Sequence, residues 1–154
     1  MSYHIIVNLP PYGQRDNKGT LKMYNGNGSL VFGPVEALGR GDRTDHGDKN
    51  NANWRLTDAD TPQGVYGASI APADTPESSY GPYKRVAMSP ISGDITETSR
   101  SGFYIHGGDP GTSGPWVPLR PTHGCIRISN ANVKLLLAAI SNTGGTGKVT
   151  VQNQ

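Results

Sequence analysis

The stretch Asn25-Gly26-Asn27-Gly28 lies between Thr20-Leu21-Lys22-Met23-Tyr24 and Ser29-Leu30-Val31-Phe32, and it constrains the fold more than any other segment. Asn and Gly tolerate the positive φ that tight hairpin turns demand, and both flanks are rich in strand formers, so the spacing predicts a β-hairpin. An earlier strand is expected at Tyr3-His4-Ile5-Ile6-Val7-Asn8-Leu9, stopped by Pro10-Pro11. Further short strands are expected from Thr61-Pro62-Gln63-Gly64-Val65-Tyr66, at residues 83–88, at residues 102–105 and at Lys148-Val149-Thr150-Val151. Glycine and proline together make 33 of the 154 residues (21 plus 12), a density that suits turns and short strands better than a helical bundle.

One helix interrupts this pattern. Val133, Leu136, Leu137 and Ile140 fall at i, i+3, i+4 and i+7, which is one helix face. Ser129 or Asn130 can cap its start and Gly144-Gly145 can end it. Residues 39–60 and 72–83 read as polar or proline-bearing loops, the first longer than a compact domain ordinarily carries without a purpose. Gly144-Gly145-Thr146-Gly147-Lys148 imitates a phosphate loop, but it follows a helix and lacks both the first glycine and the hydroxyl residue after lysine. His4 in the first strand and His46 in the long loop read as structural or surface residues. The expectation is one domain over residues 1–154, mainly β, with a short helix near the C-terminus.

Composition removes several function classes. No run approaches the ~20 apolar residues of a membrane helix, and no secretory signal is visible at the N-terminus. The net charge of +2 is spread along the chain without a dense basic run, so a nucleic-acid partner is not expected. A single cysteine excludes an intrachain disulfide and a multi-cysteine zinc site.

A lone cysteine is most often a small buried hydrophobe, but the neighbours of Cys125 argue otherwise. It follows His123-Gly124 directly and precedes Arg127 by two residues; in an extended segment His123, Cys125 and Arg127 share one side. An imidazole and a guanidinium create a positive field, which is expected to lower the thiol pKa and favour thiolate. Gly124 leaves room for a substrate backbone and for a main-chain N–H to face an oxyanion. His106 ends the apolar run Phe103-Tyr104-Ile105 and precedes Gly107-Gly108, a rigid placement suited to a general base. Asp109 or a main-chain carbonyl is expected to orient its ring. A metal site built from His106, Asp109, His123 and Cys125 is disfavoured, because i, i+2 is a poor chelating spacing for His123 and Cys125.

These segments resemble the L,D-transpeptidase catalytic domain, or YkuD, family. Its signature is a histidine, some fifteen residues, then Ser/Thr-His-Gly-Cys. Here His106 is followed by fifteen residues and then by Thr122-His123-Gly124-Cys125. The flanks Ile105-His106-Gly107 and Cys125-Ile126-Arg127, and Thr61-Pro62-Gln63-Gly64-Val65-Tyr66, are also similar to the family. The resemblance implies a β-sandwich or barrel and a cysteine acyltransferase that works on peptidoglycan stem peptides without a cofactor. It implies Cys125 as nucleophile, His106 as base, His123 in a supporting role, main-chain N–H groups of Gly124 and Cys125 as oxyanion donors, and Arg127, Tyr104 and Thr122 as substrate-binding residues. Arg127 is expected to take a substrate carboxylate.

Two departures shape the functional expectation. Gly108 stands where family members often carry Ser or Thr, which favours a main-chain carbonyl as the partner of His106. A chain without a visible export signal also fits an antibacterial effector delivered by a secretion system, with an immunity protein as partner, that trims or exchanges the terminal D-amino acid in the cell envelope or periplasm. A non-catalytic wall-binding module is the alternative from a different class.

Overall fold

The computed structural model describes residues 2–12, 17–39, 60–71, 83–98, 100–107 and 125–153. Eight strands follow the chain as β1 (Ser2–Leu9), β2 (Gly19–Asn25), β3 (Leu30–Ala37), β4 (Gly64–Ala71), β5 (Arg85–Ser92), β6 (Phe103–His106), β7 (Ile126–Arg127) and β8 (Thr146–Asn153). A 3₁₀ turn, Asp94–Glu97, follows β5, and the helix α1, Asn130–Thr143, precedes β8. All eight strands form one sheet in the order β3-β2-β1-β8-β4-β5-β6-β7.

The predicted hairpin is the β2–β3 pair. Asn25 holds its turn twice: the main-chain carbonyl accepts from Gly28 N at 3.0 Å, and Oδ1 accepts from the N–H groups of Asn27 and Ser29. Strand β3 runs further than the sequence suggested, past Phe32 to Ala37. The extension needs a bulge, because Lys22 alone of β2 stands opposite Gly33 and Pro34 between the pairs Leu21–Val35 and Met23–Phe32. Gly33 enters it at φ 85°, close over the Leu21 carbonyl, where no Cβ fits. Pro34, which lacks an N–H, is tolerated because β3 is the outer strand of the sheet.

The ends of the chain meet at the middle of the sheet. β1 and β8 pair in parallel from Ser2–Thr146 to Leu9–Asn153. Alternation along β1 sends Tyr3, Ile5, Val7 and Leu9 into the core, where they meet Leu21 and Met23 of β2 and Val149 and Val151 of β8. His4, on the other face, bonds through Nε2 to Thr150 Oγ1 at 2.7 Å. The helix starts at Ser129, whose Oγ accepts from Asn132 N, and ends at Gly144, whose N–H donates to Ile140 O. Its buried face is Val133, Leu136 and Ile140, with Leu137 packed at the margin, and it lies against β1, β3 and β6.

The outermost strands nearly close the sheet into a barrel. Leu38, one residue past β3, pairs antiparallel with Arg127 of β7, and the two exchange N–H···O bonds of 2.9 Å in both directions. The Thr61–Pro62 turn is bound to the same seam. Thr61 is buried and donates its N–H to Gly39 O at 3.0 Å, and Tyr66 donates its hydroxyl to Pro62 O at 2.6 Å. No helix among the described residues is long and apolar enough to cross a membrane. Of the expected loops over residues 39–60 and 72–83, residues 40–59 and 72–82 lie outside the described residues, as do His46, Gly108, Asp109, Thr122, His123 and Gly124.

Candidate active site

The site grows from the β5–β6–β7 corner of the sheet. β6 and β7 run parallel, with Ile105 paired to Ile126 and His106 to Arg127. Phe103, Ile105 and Ile126 enter the hydrophobic core. Alternation therefore turns Tyr104 and His106 of β6, and Arg127 of β7, to the opposite face. Cys125, one residue before β7, continues this register level with Tyr104 and is the diagonal neighbour of His106. The short β7 was not foreseen as an element; two residues carry too little periodicity to show a strand that exists only because β6 and Leu38 hold its two edges.

His106 is held on both sides of its Cα. Its main-chain carbonyl accepts from Ile128 N at 3.0 Å, and its Nδ1 lies 2.6 Å from the carbonyl oxygen of Gly107. A carbonyl can only accept, so Nδ1 carries a proton and Nε2 is the ring nitrogen that can take one up. His106 is 2 % exposed, out of the competition of bulk water. Gly107 itself lies against Asn130 at the start of α1; a Cβ there would run into Asn130 Oδ1 and come to 3.3 Å from its Cα. The Ile105-His106-Gly107 segment thus needs glycine where β6 meets the helix.

Cys125 is 8 % exposed, with Sγ 3.8 Å from the carbonyl oxygen of Gly102. The sequence predicts a thiol pKa lowered by nearby positive charge, and the net direction is the reverse. Burial raises the pKa and outweighs everything that lowers it: a main-chain hydrogen bond with Tyr104 and the charges of Arg127, Arg100 and Arg85. The positive field is real and comes from three arginines, but desolvation of the charged form wins. The thiol therefore keeps its proton until a base removes it.

Two of these arginines were not singled out from sequence. Arg85 opens β5 and lies with its Cζ 5.3 Å from the Tyr104 ring centroid. Arg100 lies with its Cζ 5.0 Å from the Phe103 ring centroid and donates from Nη1 to Asp60 O at 3.0 Å. Alternation in β5, with Val86 and Met88 buried, marks the face of Arg85 but not which strand lies beside it. Arg100 carries no sequence signal that points to the site. Arg127 is 3 % exposed and Tyr104 is half-buried. Among the described residues no group of three His, Cys, Asp or Glu side chains could hold a metal ion.

Residues 2–151 match the family described as YkuD, the L,D-transpeptidase catalytic domain. No curated protein matches the chain. Two solved structures share the fold. The helical cell shape determining protein Pgp2 from Campylobacter jejuni is 19% identical, with a TM-score of 0.59, over 99% of this chain and 49% of that one. Bd1075 from Bdellovibrio bacteriovorus is 18% identical, with a TM-score of 0.57, over 97% of this chain and 47% of its own. This chain spans about half the length of either.

Proposed function

This chain belongs to the L,D-transpeptidase catalytic-domain family, a family of cell-wall enzymes, and we propose that it acts on peptidoglycan stem tetrapeptides through a thioacyl-enzyme at Cys125. One observation carries the reading. The chain's single cysteine lies level with β6 on the face of His106, whose Nδ1 is tied to the Gly107 carbonyl so that Nε2 is left as base.

The thiol is held protonated by burial, so proton transfer accompanies attack. His106 takes the thiol proton as Sγ adds to the carbonyl that joins the L-centre of diaminopimelate to the terminal D-alanine. The tetrahedral oxyanion is met by main-chain N–H groups at Gly124 and Cys125. The C–N bond then breaks; the amine of D-alanine takes the proton from His106 and leaves, and a thioester remains on Cys125. An amine of a diaminopimelate on a second stem adds to the thioester and loses a proton to His106. Its collapse forms a 3-3 crosslink, breaks the C–S bond and restores the thiol. Water in place of the amine gives a tripeptide, and a free D-amino acid gives exchange. His123, carried here by the motif, shapes the site; Thr122, Tyr104 and Arg127 border the substrate, and residues 1–154 act as one catalytic unit in the cell envelope.

The test is incubation of the protein and its Cys125→Ala variant with diaminopimelate-type tetrapeptide muropeptides, read by mass spectrometry. Cys125-dependent release of D-alanine is expected, with dimers as the main product; tripeptide in excess of dimers makes the enzyme a carboxypeptidase. Equal products from both proteins, or none from either, reject the cysteine mechanism and leave a wall-binding module that works without turnover.

A further inference from the structure

We propose that Arg85 binds a free carboxylate of the peptide donor, held for that task on the ring of Tyr104, and so selects which stem peptides the enzyme accepts. The inference rests on the stem-peptide reading above, and it concerns a residue outside the family signature. Its basis is the register of three strands. β5 and β6 pair antiparallel through Val86–Ile105, Ala87–Tyr104 and Met88–Phe103. The next step of that register sets Arg85, the first residue of β5, beside His106, the last of β6, and His106 is paired in turn with Arg127. Val86, Met88, Phe103, Ile105 and Ile126 all enter the core. Arg85, His106 and Arg127 therefore form one row on the other face, with the histidine flanked by a guanidinium-bearing strand on each side.

The two arginines differ in overall burial. Arg127 is 3 % exposed, whereas Arg85 is half-buried. Arg85 lies over Tyr104 at 5.3 Å, so its planar group has an aromatic plane beneath it and loses less freedom when it binds a planar partner. It stands near enough to Cys125 for its charge to act on the thiol. Arg100 lies against the core ring Phe103 and donates from Nη1 to the Asp60 carbonyl. A guanidinium in the row of the base suits a carboxylate, which it can meet through two parallel N–H···O bonds. The donor offers two near the scissile bond: that of the terminal D-alanine and that at the D-centre of diaminopimelate.

The two sources are separated by binding, measured by calorimetry on the full chain carrying Cys125→Ala, so that turnover does not enter. Three tetrapeptide donors are compared: unmodified, amidated at the terminal carboxylate, and amidated at the diaminopimelate carboxylate. Arg85→Gln is expected to weaken binding of the unmodified donor roughly 10- to 100-fold, the size of a charge-assisted pair. Amidating the carboxylate that Arg85 reads weakens the Arg85 protein by the same factor and makes Arg85→Gln harmless, while the other amide leaves the effect of Arg85→Gln intact. Arg85→Lys, which keeps the charge without the planar fork, falls between, and it replaces Arg85→Gln if that variant does not fold. An equal loss for all three donors overturns the proposal, as does no loss, or no binding of any donor. Binding coupled to Arg85 in a chain that never releases D-alanine defeats the catalytic reading alone; Cys125-dependent turnover without that coupling defeats this one alone.

Discussion

Leu38 and Arg127 exchange a pair of main-chain hydrogen bonds, 2.9 Å each way, and with them the β3 end of the sheet meets the strand that follows Cys125. The bridge joins residues 89 positions apart and links the two outermost strands of the sheet. It leaves Arg127, and with it Cys125 two residues earlier, fixed from both sides, by β6 and by Leu38. Leu38→Pro removes one of the two donors and the buried Leu38 side chain, and is expected to cost about 3 kcal/mol or more. Urea unfolding measures the loss, and faster alkylation of Cys125 in the folded variant reports the opened seam. An unchanged midpoint with unchanged alkylation counts against the bridge as the closure of the barrel.

The raised thiol pKa gives a pH prediction whose sign is settled by burial. A group that holds its proton more tightly than an ordinary thiol of 9.0 reacts as thiolate only at higher pH. The rate of iodoacetamide alkylation is expected to rise with an inflection above 9.0. Arg100→Gln removes a charge that lowers the pKa and should move the inflection higher still. An inflection below neutral pH would mean that Cys125 rests as a thiolate and that attack needs no concurrent base.

His106→Gln keeps a polar side chain at a buried position but cannot take up a proton. D-Alanine release is expected to fall by roughly 10²–10⁴, the usual contribution of a positioned general base. The residual rate should lose the pH dependence that His106 imposes. A loss under tenfold would assign the base to another residue, His123 first.

Tyr66→Phe tests the Thr61–Pro62 turn. The Tyr66 hydroxyl is buried and donates to the Pro62 carbonyl at 2.6 Å, while its ring meets Phe103 edge-on with centroids 5.9 Å apart. Removing the hydroxyl leaves that carbonyl without this donor at a cost of about 1–2 kcal/mol, read as a lower midpoint in thermal or urea unfolding. Because Phe103 begins β6, a small change in donor binding should accompany it, whereas a variant as stable as the parent would make the bond dispensable.

The local elements were legible where one side chain or one turn decides them. The Asn25 turn, the Ser129 cap and the i, i+3, i+4, i+7 face of α1 each depend on residues within one or two turns of chain. The extension of β3 was not, because it hangs on a bulge against Lys22 that only the paired strand reveals. The 3₁₀ turn at Asp94–Glu97 was missed for a similar reason: Ile95, its buried residue, gains its place only by packing beneath β4 and β5. In the candidate site, Cys125, His106 and Arg127 were singled out by a contiguous motif and its spacing. Arg85 and Arg100 did not, since an arginine in a polar stretch looks like solvated surface until its neighbour in space is known.

What the sequence determined by itself is the chemistry on offer: one thiol, a histidine ahead of it at fixed spacing, glycines beside both, and strands short enough to demand a sheet. Tertiary structure decided the electrical state of that thiol and the company it keeps. The parallel β1–β8 pairing, the Leu38–Arg127 closure and the row of Arg85, His106 and Arg127 join residues far apart in the chain. Burial reversed the pKa direction that adjacent charges alone suggested. Both effects depend on which surfaces exclude water and which strands become neighbours, quantities set by the packing of the whole sheet, whereas a motif is a property of consecutive residues.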